Sequence, residues 1–108
     1  MSGKTLREAK YAENSQTTQY TVPLNTSTII DGIQVANNTG AAATMTINVV
    51  PSGSAAAATN VVQPTTSVAA GTKVTMLAGT WMNAGDFIST LAGTASALVI
   101  HIGGREFP

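Results

Sequence analysis

Hydrophobic and polar positions alternate with a period of two along most of this chain. The clearest run covers residues 43–50, where Ala43, Met45, Ile47 and Val49 alternate with Thr44, Thr46 and Asn48. That is the spacing of a strand with one buried face. A second β-branched run covers residues 27–37, with Ile29, Ile33 and Val35 on one predicted face. Asp31 interrupts that face and Gly32 follows it, which predicts a bulge. Asn37-Asn38-Thr39-Gly40 is a turn signal, so the two runs predict an antiparallel hairpin with one buried face.

Further short strands are predicted at residues 20–22, stopped by Pro23, and at residues 60–63, ended by Pro64. Others follow at residues 72–77, with Val74 and Met76 inward, at Trp81-Met82, and at residues 86–91. The last is predicted at residues 97–102, with Leu98, Ile100 and Ile102 on one side and Val99 and His101 on the other. Gly103-Gly104 is expected to release a tail that ends in Phe107 and Pro108. The four alanines at 55–58 are too few for a helix and read as a loop or one turn. Seven or eight short strands, with turn signals about every 8–12 residues, predict an all-β domain over residues 19–108. The architecture expected is an antiparallel β-sandwich of jelly-roll type.

Residues 1–18 break this pattern. Leu6, Arg7, Glu8, Ala9 and Lys10 are good helix formers, but the run is too short to stand alone as a helix. The segment is expected to be an extended or partly helical N-terminal arm that orders against a partner. Leu6 and Tyr11 have no local core to enter there, so they are expected to be spent on a neighbour.

Charge changes the picture most. The chain has 108 residues, enough for one domain, and only 9% of them are charged, against about 25% in ordinary proteins. Lys4, Arg7, Glu8, Lys10 and Glu13 lie in the first segment, and Arg105 and Glu106 near the end. Between them stand only Asp31, Lys73 and Asp86. The rest of the surface is built from Thr, Ser, Asn, Gln, Gly and Ala, residues that can be covered at little entropic or desolvation cost. Protein interfaces are similarly poor in Lys, Glu and Asp. Much of this surface is therefore expected to lie against other subunits.

The formal net charge is zero, which supplies no basic field for nucleic acid. There is no cysteine, which excludes disulfides, thiolate metal sites and thiol chemistry. No apolar run approaches the roughly 20 residues of a membrane span, and no signal peptide is visible, so synthesis in the cytoplasm is expected. His101 has no partner identifiable by spacing and reads as a hydrogen-bonded strand residue. Asp86 reads as a turn aspartate that accepts backbone N–H bonds, and Asp31 as part of the bulge. No catalytic residue, cofactor or metal ligand set is expected, and the chain reads as no enzyme. Trp81, Met82 and Phe87 either fill the core or anchor an interface. The residues expected to bind a partner are Leu6, Arg7, Tyr11, Trp81 and Phe107.

The run from Tyr20-Thr21-Val22-Pro23-Leu24-Asn25-Thr26 through Ile29-Ile30-Asp31-Gly32-Ile33 to Val35-Ala36-Asn37-Asn38-Thr39 resembles the opening of short β-sandwich structural proteins of tailed bacteriophages. Val49-Val50-Pro51-Ser52-Gly53, Ala69-Ala70-Gly71-Thr72 and Asn83-Ala84-Gly85-Asp86-Phe87-Ile88 are similar to later segments of the same group. The likeness covers residues 19–102 and leaves out the charged start. It implies a virion component but not its place, since similar modules serve in heads and in tails; the function expected is a capsid decoration, or cement, protein. Such a protein would lie on the capsid surface, bind the major capsid protein and copies of itself as a homotrimer, and use no nucleic acid, membrane or small-molecule substrate. The rivals are a tail, neck or fibre-associated module of the virion and a surface- or carbohydrate-binding sandwich, which would need an exposed aromatic platform.

Overall fold

In a computed structural model of the chain, which describes residues 3–108, the alternating segments form nine strands. These are β1 (Lys4–Tyr11), β2 (Thr17–Thr21), β3 (Ser27–Asn37), β4 (Ala43–Val50), β5 (Val61–Val68), β6 (Lys73–Met76), β7 (Thr80–Met82), β8 (Phe87–Ala92) and β9 (Leu98–Phe107). Met1 and Ser2, the first residues of the expected arm, lie outside the described residues. The alanine tract leads into a single 3-10 turn, Ala58–Asn60. All pairings are antiparallel. Sheet I has the order β1-β9-β3-β6, with β7 also on β3, and sheet II the order β2-β8-β4-β5.

The two sheets meet over one hydrophobic cluster. Ile30, Ile33, Val35, Leu98, Ile100 and Ile102 enter it from sheet I, and Met45, Ile47, Ile88 and Ala92 from sheet II. Packed β layers stand about 10 Å apart, in keeping with a shortest molecular dimension of 18 Å. Each fully buried isoleucine contributes roughly 1.5–3 kcal/mol.

Residues 4–11 are not a helix. They form β1, the edge strand of sheet I, paired with β9 from Lys4 opposite Gly104 to Tyr11 opposite Val99. Helix propensity yields here because β9 offers an open ladder, and intrinsic propensity is weaker than such pairing. Leu6 finds the core it was expected to lack and packs half-buried against the cluster. The charges of this segment lie on an edge strand whose pairing is irregular at two places. Charges and bulges on an edge oppose unwanted pairing with other chains.

The predicted hairpin of residues 27–50 does not form. β3 lies in sheet I and β4 in sheet II, so the turn after Asn37 carries the chain from one layer to the other. Asn37 is 2% exposed and organises that crossing. Its Nδ2 donates to the carbonyls of Ala41 (2.8 Å) and Val68 (2.9 Å), and its Oδ1 accepts from the Thr39 N–H (2.9 Å) and hydroxyl (2.7 Å).

The bulge expected at Asp31-Gly32 is present: Ile30 pairs with Gly104 and Gly32 with Gly103, leaving Asp31 unmatched. One extra residue flips the side-chain parity of a strand. Thr28 and Ile30 therefore point inward before it and Ile33 and Val35 after it, while Ile29, predicted to be inward, is only partly covered. Pro64 does not end a strand but sits within β5 at the edge of sheet II, where a missing N–H disturbs no ladder. Gly103 and Gly104 do not release a tail. They lie within β9, which continues to Phe107.

Candidate functional site

Sheet I and sheet II differ in chemistry. No residue of β2, β4, β5 or β8 carries a charge at neutral pH. All the charged strand residues lie in sheet I: Lys4, Arg7, Glu8 and Lys10 in β1, Asp31 in β3, Lys73 in β6, and Arg105 and Glu106 in β9. The outward row of sheet II is Thr44, Thr46, Thr65, Ser67 and Leu91, with the Thr46 and Thr65 hydroxyls 2.7 Å apart.

On the outer face of sheet I, β7 places Trp81 opposite Ile29, and β9 places Arg105 on the other side of Ile29. Trp81 is 64% exposed, and its ring centroid lies 5.8 Å from that of Phe107, within the range of a favourable aromatic pair. Arg105 Nη2 donates to Asp31 Oδ1 at 3.1 Å. One step along, Gly32 faces Gly103, and beyond them Gln34 lies between Thr75 and His101. A depression of about 200 Å³ lies here, lined by Asp31, Gly32, Gln34, Thr75, His101 and Gly103, and the missing side chain of Gly103 keeps it open.

The fold therefore brings Trp81 and Phe107 together and leaves the other expected partner residues apart. Tyr11 is 45% exposed at the far end of β9, where its hydroxyl accepts from Asn38 Nδ2 at 3.3 Å. Arg7 lies half-buried on β1 opposite Ile102. The His101 side chain makes no hydrogen bond to the chain among the described residues, contrary to the expected bonded strand histidine; Asp31 and Thr75 share its depression instead. Asp86 behaves as expected, accepting from the N–H groups of Ser52 (3.0 Å) and Asn83 (2.9 Å). Spacing could not find the depression, because its members come from three strands brought into register only by the sheet.

Two polar clusters tie the layers together at their margins. Tyr20 of sheet II donates to Glu106 Oε2 at 2.5 Å and lies 2.8 Å from the Thr28 hydroxyl, while Lys4 Nζ reaches Glu106 Oε1 at 2.8 Å. Burial, reinforced by the Glu106 carboxylate, pushes the Tyr20 phenol up to about 12. Lys4 and then Tyr20 hold the Glu106 carboxyl below its ordinary value. Glu13 accepts from Lys10 (2.7 Å) and from the buried Gln19 (2.9 Å), and these bonds hold its carboxyl down at about 2.

A carboxyl lowered by folding adds stability above its unfolded value that is lost as pH falls through its folded value. The wild type should therefore lose Tm between pH 4.5 and about 2, and Glu13→Gln should lose less over that window. A phenol raised by folding adds stability below pH 10 that disappears as pH rises through about 12, so Tyr20→Phe should flatten the alkaline limb. Thermal melts across both windows check this.

Among the described residues, no group of three or more His, Cys, Asp or Glu side chains stands close enough to hold a metal. Among the described residues, too, no helix is long and apolar enough to cross a membrane. No family model, curated protein or solved structure matches this chain.

Proposed function

We propose that this chain is a non-enzymatic structural protein of a tailed-phage virion, a capsid decoration protein built as a jelly-roll-type β-sandwich. It sits on the outside of the shell as a homotrimer and bridges copies of the major capsid protein. The observation that carries this reading is the charge-free sheet II. An ordinary solvated surface is about 25–35% charged, and the Thr44, Thr46, Thr65, Ser67 and Leu91 row has none. Such a face packs against a neighbour through hydroxyl hydrogen bonds with no ion to desolvate. Many modest contacts on a repeating lattice then hold a small domain firmly through effective concentration. The resemblance of residues 19–102 to short phage sandwich proteins points the same way.

Thr46→Lys places one ammonium in the middle of the proposed contact face. An unpaired buried charge costs about 2 kcal/mol or more, so particle binding should weaken by more than about tenfold. The melting temperature of the free protein should hardly move, since Thr46 faces away from the core. Binding measured by co-sedimentation with stripped particles, unchanged in the variant, would sink the proposal. Copy number in purified particles tests location: a number comparable with the major capsid protein supports decoration, and a few copies per particle moves the protein to the tail.

A further inference from the structure

We propose that the glycine-floored depression on the outer face of sheet I is a binding site for a neutral oligosaccharide, with one sugar ring in the depression and the next on Trp81. This does not rest on the virion reading; it uses the opposite face of the molecule.

The chemistry of the lining selects the ligand. The side chains of Gln34, Thr75 and His101 each offer a donor and an acceptor, and among the described residues none of these side chains bonds to another part of the chain. Asp31 adds a carboxylate acceptor already neutralised by Arg105 at 3.1 Å. At the floor Gly103 is bare backbone that a ring can approach closely, while the Thr75 methyl lies over Gly32. Paired donors and acceptors around an uncharged floor suit vicinal hydroxyls with a C–H face beneath them. A hard cation would need more oxygens than this lining gathers around one carboxylate, and an anion would find no free cation, because Arg105 is already spent on Asp31. The Trp81–Ile29–Arg105 row lies one outward step beyond Asp31, roughly 7 Å along the strand. An indole 64% exposed and braced by Phe107 is there a ready stacking surface for a second ring.

Gly103 makes the test clean. A Cβ built there meets nothing nearer than the Lys4 carbonyl oxygen at 3.9 Å, so valine fits the strand and fills the depression. Gly32 is unsuitable, because its Cβ would strike Thr75 Cγ2 at 2.7 Å. The experiment titrates 15N-labelled protein with neutral oligosaccharides of glucose, galactose, mannose and N-acetylglucosamine, and with inorganic phosphate, following amide and indole N–H shifts. At least one sugar should move the amides of Gln34, Thr75, His101 and Gly103 together with the Trp81 indole, saturating in the millimolar range. Gly103→Val should keep the dispersed spectrum and weaken binding more than about tenfold. Gln34→Ala, which touches no core residue, should weaken it too. Trp81→Ala should weaken the oligosaccharide and leave the corresponding monosaccharide unaffected. No shift from any sugar, shifts from phosphate in preference, or undiminished binding by Gly103→Val would each overturn the assignment.

Discussion

Asn37→Ala is expected to lose about 3–5 kcal/mol of stability, and the neighbouring Asn38→Ala within about 0.5 kcal/mol. The Asn37 side chain is buried and makes four hydrogen bonds where the chain leaves one sheet for the other. Alanine strands the Val68 carbonyl and the Thr39 N–H, at about 1–3 kcal/mol for each group that water cannot reach, while the exposed Ala41 carbonyl can still accept from the Thr39 hydroxyl at 2.9 Å. The backbone of Asn37 is also tied to the turn before β6, accepting from the Gly71 N–H at 2.9 Å and donating to the Thr72 carbonyl at 2.9 Å. Loosening this residue therefore loosens both layers. Asn38 is exposed and spends its side chain only on the Tyr11 hydroxyl. Urea unfolding of the two variants gives the comparison directly; equal and small losses would show that the crossing does not depend on Asn37.

Gly104→Ala should cost about 3 kcal/mol, and Gly103→Ala next to it should cost little. Gly104 is buried at the junction of β1, β9 and β3, where its missing side chain lets three strands close. A Cβ there collides with the Ile29 carbonyl oxygen and comes within 2.9 Å of Leu6 Cδ1. The oxygen belongs to backbone and cannot step aside, so the strands must part, and overpacking of that kind costs about 1–3 kcal/mol or more. In a domain of this size each kcal/mol lowers Tm by about 4–8 °C, so Gly104→Ala should melt on the order of 15 °C below the wild type. A matching loss in Gly103→Ala would contradict the geometry, since that Cβ meets only the Lys4 carbonyl oxygen, at an ordinary contact distance of 3.9 Å.

Charges that spacing assigns to a free arm instead serve the sheet edge. Lys4 grips Glu106 at the other end of the chain, Arg105 grips Asp31, and Lys10 grips Glu13 beside it. Two of these three pairs join residues more than seventy positions apart, so no local pattern could announce them. They are at least partly exposed, and each adds little stability on its own. Lys4–Glu106 joins β1 to β9, Arg105–Asp31 joins β9 to β3, and Lys10–Glu13 ties β1 to the residues that follow it.

Alternation was enough to read the all-β class, the strands at β3 and β4, the bulge at Asp31-Gly32 and the turn role of Asp86. Each of these depends on neighbours a few residues away, where side-chain parity and turn chemistry act directly. Four features lay beyond that reach: β1 as a strand, the passage of Asn37 between layers, the inward turn of Ile30 in place of Ile29, and the meeting of Trp81 with Phe107. Pairing with β9 outweighed the helix propensity of residues 5–10. The bulge shifted every later inward position of β3 by one. The depression beside His101 arose only when three strands were laid in register. Local pattern says which residues can be strands and where they must turn; which strands become neighbours is decided by burying both sheets' apolar faces at once, a condition on the whole chain.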